Sequence, residues 1–166
     1  MPPSASAALA VADLRRAFPA YGIASVVVAL DQLTKRWAAT TFASGPRSIL
    51  GDFFVFRFTE NSGAAFSLLP DAGRLLGLAA VAAVGFISYA LANPRPVHEQ
   101  VAFGLVLGGA IGNLTDRIFR GPGFLDGPVI DWIQIPYWPT FNIADSAVSV
   151  AIAILLLGAV RSPKRA

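Results

Sequence analysis

The feature of this sequence that most constrains its fold is a set of four long runs without a charged residue: Ala17–Leu30, Leu75–Asn93, Val101–Thr115 and Ser146–Val160. A helix that crosses a bilayer needs about 20 mostly apolar residues. The second run nearly reaches that length, and flanking polar residues extend the other three. We therefore predict an all-α membrane protein with four transmembrane helices over residues 19–40, 72–92, 99–118 and 142–160.

Composition supports this fold class, because 55% of the 166 residues are hydrophobic and only 14% are charged. We expect residues 19–160 to form a single transmembrane domain between short tails at 1–18 and 161–166. The first tail has no basic start ahead of an apolar core, so we interpret it as flexible rather than as a cleaved signal peptide. The absence of cysteine excludes disulfides and a thiol nucleophile. The scattered basic residues form no stripe for nucleic acid, although some could favour anionic lipid.

The polar residues of the predicted spans gather toward one face of the membrane. Because the chain alternates direction, the second half of span 1, the end of span 3 and the start of span 4 meet at the same face. The long connections 41–71 and 119–141 lie there too. Both termini lie on the other side, and similar numbers of basic residues on the two sides leave the orientation open by the positive-inside rule.

The aspartates near this face need a physical explanation. An ionised Asp at the bilayer centre costs about 2.5–3.5 kcal/mol. Lys35 follows Asp31 by four residues, on the same helical face, and a pair of arginines follows Asp116. Asp131 and Asp145 have no basic neighbour in the sequence, which separates them from the other two.

Asp145 alone could be a helix cap or a first-turn carboxylate, and Asp131 alone could be a solvated loop residue. Together, with apolar flanks, they suggest a carboxylate pair that shares one proton, because two close carboxylates in a low-dielectric site cannot both ionise easily. One aspartate would take a proton from the attacking water, and the other would bind the scissile carbonyl and later protonate the leaving nitrogen. His98, the only histidine, lies in the loop on the wrong face, and the ligand set for zinc is absent.

Two other function classes remain open at this point. A small transporter or proton-conducting subunit would also carry intramembrane acids, but spread across the depth of the bilayer. A structural or assembly protein would use its acids to pair helices, and each Asp would then have a basic partner.

Five motifs, in order, resemble those of the lipoprotein signal peptidase family, also called signal peptidase II. They are "DQLTK" (31–35), "ENSGAAFS" (60–67), "GGAIGNLTDR" (108–117), "VIDWI" (129–133) and "FNIADSA" (141–147). The resemblance covers residues 20–160, nearly the whole chain.

The resemblance implies an aspartic endopeptidase, without a metal or other cofactor, that removes signal peptides from diacylglyceryl-modified prolipoproteins by cutting before the lipidated cysteine. It implies four helices in the bacterial inner membrane, cytoplasmic termini and a periplasmic active site. The catalytic pair carries over to Asp131 and Asp145. The family's supporting or substrate-binding positions are matched by Asp31, Lys35, Asn61, Gly63, Asn113, Asp116, Arg117 and Asn142. Membrane lipid and the lipidated substrate are the expected partners, and we expect a monomer.

The sequence departs from the family pattern at two places. Ser62 stands where the family more often has threonine, which also carries a hydroxyl. The stretch "IFRGPGFLDGP" is longer than in the shorter family versions and contains Asp126, which by its spacing competes with Asp131 for the catalytic role. Glycine and proline flank Asp126, whereas Asp131 has the motif's apolar flanks, so we assign the role to Asp131.

The remaining segments predict a scaffold around this site. Residues 53–59 alternate like a strand, with Phe54, Phe56 and Phe58 on one face, and they predict a small periplasmic sheet that cradles the substrate. We expect this Phe-rich segment 53–58, or the loop 119–130, to close over substrate. Glycines at every fourth residue, 104, 108 and 112, predict close helix packing in span 3. Trp132, Tyr137 and Trp138 are typical of anchors at the membrane interface.

Overall fold

A computed structural model of the chain describes residues 5–51, 53–63 and 72–161, with side chains described for 18–51, 53–63 and 73–160. Within them lie four helices, α1 (Ala5–Thr41), α2 (Ala72–Leu91), α3 (Val97–Phe119) and α4 (Ile143–Arg161). The predicted bounds of the last three helices are confirmed to within two residues. The prediction of a flexible first tail is wrong from Ala5 onward, because the alanine-rich stretch that follows has high helix propensity and α1 continues through Pro19.

Two of these helices, over Gly73–Leu91 and Ile143–Val160, are long and apolar enough to cross a membrane. Only 22% and 17% of these two segments is buried within the protein, unlike the core helix of a soluble domain, so their apolar side chains face outward. Helices α1 and α3 instead carry buried charged residues, among them Lys35 and Asp116. The full count of four spans therefore stays a prediction.

Helix α3 is the centre of the bundle and contacts the other three helices. Its glycines lie where a neighbouring backbone approaches, as the four-residue spacing predicts. A β-carbon on Gly108 would lie 2.6 Å from Cβ of Val27 in α1, and one on Gly109 would lie 2.6 Å from the carbonyl oxygen of Ala144 in α4. Bulkier residues would separate the helices, so these glycines set the distance between the polar side chains of α1, α3 and α4.

A small antiparallel sheet lies at one end of the bundle. Its strands are β1 (Arg47–Ser48), β2 (Val55–Asn61) and β3 (Val129–Gln134), in the order β1-β2-β3. The three phenylalanines of residues 54–58 pack on one aromatic cluster with Phe42 and Trp132, as the alternation predicts. Trp132 is only 6% exposed, so its interpretation as an interfacial anchor is wrong, whereas Tyr137 and Trp138 are exposed. The cluster fixes β3 against α1 and so positions the residues between them.

Candidate active site

Asp131 and Asp145 reach one cavity from two consecutive elements, β3 and α4. Asp131 is the third residue of β3 and is 2% exposed, and Asp145 lies in the first turn of α4. The cavity has a volume of about 250 Å³. Its lining comprises Asn61, Leu76, Ala80, Gly109, Ala110, Asn113, Arg117, Val129, Asp131, Asp145 and Val148. The structure thus brings the two predicted carboxylates together.

Asn142 joins the two carboxylates. Its Nδ2 donates to Oδ1 of Asp131 at 2.7 Å, and its backbone N–H donates to Oδ2 of Asp145 at 3.2 Å. The backbone N–H of Asp145 in turn donates to Oδ1 of Asn142 at 3.0 Å. This reciprocal pair is a capping box at the start of α4, with Asn142 as the N-cap residue. Asp145 is therefore a capping residue, as one interpretation of the sequence holds, and also a cavity residue.

The carboxylate of Asp131 is buried but accepts two side-chain amides. Besides Asn142, Nδ2 of Asn61 donates to its Oδ2 at 2.9 Å. The pKa of Asp131 is raised to about 6: burial is the largest cause and the nearby charge of Asp145 adds to it, while the amides of Asn61 and Asn142 and the charge of Lys35 oppose the rise. A carboxyl group with this pKa retains a proton at a pH where an ordinary aspartate is ionised.

Gly63 orients the amide of Asn61. Its φ of +92° is in the region that favours glycine, and its backbone N–H donates to Oδ1 of Asn61 at 2.9 Å. The amide oxygen is thereby engaged, which turns Nδ2 toward Asp131. The rest of the "ENSGAAFS" motif, residues 64–67, lies outside the described residues.

A buried ionic cluster lies behind the cavity. Lys35 is fully buried, and its Nζ lies 2.8 Å from a carboxylate oxygen of Asp31 and 2.8 Å from one of Asp116. Its third acceptor is Oδ1 of Asn113, at 2.9 Å. The three ammonium protons therefore have three acceptors. The pairing of Asp31 with Lys35 is confirmed, and Asp116 pairs in addition with Arg120, at 2.8 Å.

The two carboxylates of this cluster hold the backbone beside the cavity aspartates. Asp31 accepts the backbone N–H of Ala144 at 3.0 Å, and Asp116 accepts that of Ile130 at 3.2 Å. These residues immediately precede Asp145 and Asp131. Lys35 therefore fixes, through its two partners, both segments that carry the pair.

Asn113 and Arg117 extend from α3 toward the cavity. Asn113 Nδ2 donates to Oδ1 of Asp145 at 2.8 Å, while its Oδ1 also accepts Nδ2 of Asn142 at 3.1 Å. Arg117 is 5% exposed, and its Nη1 has no hydrogen-bond partner in the part of the chain that the structure describes. Asp131 and Asp145 therefore share their cavity with the Arg117 cation, although neither aspartate has a basic residue next to it in the sequence.

Asp126, the other candidate for the catalytic role, is not among the residues that line the cavity. Asp126 lies in the loop after α3, where its Oδ1 accepts the N–H of Gly123 at 3.1 Å and its carboxylate lies 3.6 Å from Arg74. Of the two competing aspartates, it is Asp131 that lines the cavity.

Sequence reasoning missed Gln32, whose Nε2 donates to the carbonyl oxygen of Gly112 at 3.1 Å and to Asp116 at 3.2 Å. Its position next to Asp31 is the signal that could have identified it.

Comparisons with known proteins identify the family of the chain and agree with its fold. The family model described as signal peptidase (SPase) II matches residues 23–161. The chain is 41% identical over 156 residues to a lipoprotein signal peptidase of Rhodococcus jostii (strain RHA1), covering 93% of this chain and 78% of that one. It is 40% identical over 149 residues to that of Mycobacterium tuberculosis (strain CDC 1551 / Oshkosh), covering 89% and 73%. A solved bacterial membrane enzyme superposes with a TM-score of 0.76 at 27% identity, covering 86% of this chain and 93% of that structure.

Proposed function

Because the chain belongs to the signal peptidase II family, we propose that it is an intramembrane aspartic endopeptidase that removes signal peptides from diacylglyceryl-modified bacterial prolipoproteins. It cuts before the lipidated cysteine and uses no cofactor. The observation that carries this proposal is the convergence of Asp131 and Asp145 on one cavity, joined through Asn142. Two carboxylates that share a proton can supply both the base and the acid of peptide hydrolysis.

In the proposed reaction, Asp145 is ionised and Asp131 carries the shared proton, in keeping with the raised pKa of Asp131. Water adds to the scissile carbonyl carbon as its proton passes to Asp145, and the proton of Asp131 forms a hydrogen bond with the carbonyl oxygen. When the C–N bond breaks, Asp131 gives its proton to the leaving nitrogen. The proton held by Asp145 then returns to Asp131, and the pair is ready for another cycle.

The other polar residues of the cavity serve this reaction by position and charge. Arg117 places a buried cation beside the carboxylates, where it can stabilise negative charge that develops on the substrate. Asn61, Asn113 and Asn142 hold the two carboxylates by their amides. Because these amides are already fixed by the fold, little reorganisation is needed when charge moves during the reaction.

We place the site at the periplasmic face of the inner membrane, with both termini in the cytoplasm and a monomer as the working unit. The polar network lies at the ends of α1 and α3 and the start of α4, which all meet at one end of the bundle. Around this end, Phe53 is 64% exposed and Phe124 is 77% exposed, which suits contact with lipid or a lipidated substrate. We expect segment 53–58 or loop 119–130 to close over that substrate.

The transporter and assembly alternatives lack comparable support. A proton path would continue through the bundle, but below the cavity Ala20, Ile87, Leu91 and Leu107 form an apolar core. A purely structural role would pair each acid with a base. Among the described residues, Asp31 and Asp116 form such ion pairs, whereas Asp131 and Asp145 accept hydrogen bonds from amides.

The test is cleavage of a diacylglyceryl-modified prolipoprotein by the purified protein. We expect Asp131→Asn and Asp145→Asn each to lower kcat by about 10²–10⁴ or more, since each removes a general acid or base. Asp126→Asn is the matched control and should keep near wild-type activity, because Asp126 lies outside the cavity. Full activity of either cavity variant would rule out the two-aspartate mechanism, and no cleavage by folded wild type would reject the proposed function.

A further inference from the structure

The pairing of β2 with β3 contains a β-bulge directly beside Asp131. Phe56 pairs with Ile133, but the next pair along the strands is Thr59 with Asp131. Arg57 and Phe58 of β2 therefore oppose a single residue of β3. Without the extra residue, the register of Phe56 would continue and place Phe58 opposite Asp131. Bulges next to active sites commonly redirect a side chain, and this one replaces a phenylalanine by a threonine at the carboxylate.

Thr59 shares the face of the sheet that borders the cavity. Directly paired residues in antiparallel strands point to the same face, with Cβ atoms about 4.5–5.5 Å apart. Asn61 and Val129, which are the next residues on that face, both line the cavity with Asp131. The hydroxyl oxygen of Thr59 is buried and has no hydrogen-bond partner among the described residues. A buried hydroxyl without a partner costs about 1–3 kcal/mol, so its place beside the carboxylate calls for an explanation, and a role in catalysis is one.

We propose that Thr59 is a positioning residue for the proposed peptidase, whose hydroxyl turns about χ1 to donate a hydrogen bond to the Asp131 carboxylate once that group has given up its proton. In the proposed reaction Asp131 becomes ionised when the leaving nitrogen takes its proton. Each of its oxygens then accepts one amide, from Asn142 or Asn61, and each has capacity for another donor. The Thr59 hydroxyl supplies that donor, and its hydrogen bond is stronger to the ionised carboxylate than to the protonated carboxyl group.

The charged groups around Asp131 come from three helices. Asp145 of α4 favours its protonated form, whereas Lys35 of α1 and Arg117 of α3 favour its ionised form. On β2 itself, Arg57 and Glu60 are exposed. None of these groups changes when the Thr59 hydroxyl is removed, so a change in the titration of the pair in a Thr59 variant would report the hydroxyl.

The experiment compares Thr59→Val, Thr59→Ser and the control Thr40→Val by pH profiles of kcat and KM on a diacylglyceryl-modified prolipoprotein peptide. Valine keeps the shape of threonine without the hydroxyl, and the Thr40 hydroxyl bonds to its own helix. Loss of a donor to the ionised form raises the pKa of Asp131. We expect the alkaline limb of the kcat profile to move up by about one pH unit in Thr59→Val, with kcat lowered several-fold and KM little changed. Thr59→Ser and Thr40→Val should resemble wild type.

Stability measurements distinguish this role from a structural one. Because valine removes a buried polar group that has no partner, Thr59→Val should unfold at a temperature equal to or above that of wild type. A uniform loss of activity at all pH values, or a limb that does not move, would overturn the proposal. Failure of the proposed function itself would be seen separately, as an active Asp131→Asn variant or an inactive folded wild type.

Discussion

Replacing Lys35 by methionine should strongly destabilise the protein, because Lys35 is the cation that neutralises two fully buried carboxylates. Methionine fills a similar volume but supplies no proton to Asp31, Asp116 or Asn113. Arg120 still pairs with Asp116 in the variant. Among the described residues, Asp31 then keeps the N–H of Ala144 and the amide of Gln32 but no cation.

The expected loss of stability follows from the unpaired charge that Lys35→Met leaves on Asp31. Removing one partner of a buried ion pair costs about 3–5 kcal/mol, because the remaining charge stays desolvated. For a chain of this size, a loss of that order lowers the unfolding temperature by roughly 6–20 °C. Activity should fall as well, since Asp31 and Asp116 hold the backbone next to Asp145 and Asp131.

The assay is thermal unfolding of purified protein in detergent, together with prolipoprotein cleavage. Arg120→Met is the matched control, because Arg120 contacts the same Asp116 at 2.8 Å but has a side chain that is 29% exposed, and Asp116 keeps Lys35 as its cation in this variant, so the loss should be smaller. The double variant Lys35→Met with Asp31→Asn should lose less than the sum of its single variants, since it removes the unpaired charge. A loss for Lys35→Met no larger than that for Arg120→Met would refute the reasoning.

Two further predictions concern pH and packing. Because the pKa of Asp131 is raised from 3.8 to about 6, the folded protein binds more protons than the unfolded chain between these pH values, and this group's contribution to stability is lost as pH rises through them. Unfolding at pH 4 and pH 7 should therefore show the stability of Asp131→Asn gaining up to about 3 kcal/mol relative to wild type at the higher pH. An equal difference in stability at both pH values would contradict burial as the cause of the raised pKa. Gly108→Val should destabilise the protein by about 1–3 kcal/mol or more in the same assay, because its Cβ would overlap Val27. The control Gly85→Val has no atom within 4 Å of the added Cβ and should stay near wild type apart from valine's lower helix propensity. Similar losses at both positions would argue against close packing at Gly108.

The helices could be predicted from the sequence because their signal is local. A long run without charge leaves a membrane-embedded backbone few alternatives to a helix, and three of the four helices both begin and end within two residues of the predicted bounds. Apolar runs do not predict the start of α1, since residues 5–18 contain charges and polar residues. Helix propensity decides that segment, and propensity does not depend on a membrane.

Ion pairs were predictable where they follow helical spacing and unpredictable where they do not. Lys35 and Asp31 are four residues apart, as are Arg120 and Asp116, and both pairs form. The pairing of Lys35 with Asp116 joins α1 to α3 and depends on how closely these helices approach. The spacing of glycines in α3 indicates close approach, but it does not state which charged residues will meet across it.

The sheet shows why the environment of Asp131 could not be read from the sequence. Alternation along residues 53–59 correctly groups the phenylalanines on one cluster. A strand that pairs without interruption would nevertheless place Phe58 opposite Asp131, and only the bulge brings Thr59 and Asn61 to the carboxylate. An extra residue in one strand has no local signal, because its effect appears in the partner strand some 70 residues later in the chain, where Asn61 meets Asp131. The carboxylate pair thus depends on a register that β2 and β3 define together. The phenylalanines of β2 fix β3 and so hold Asp131 in place, while its polar residues supply donors on the cavity side. The same short strand therefore also sets how readily Asp131 loses a proton.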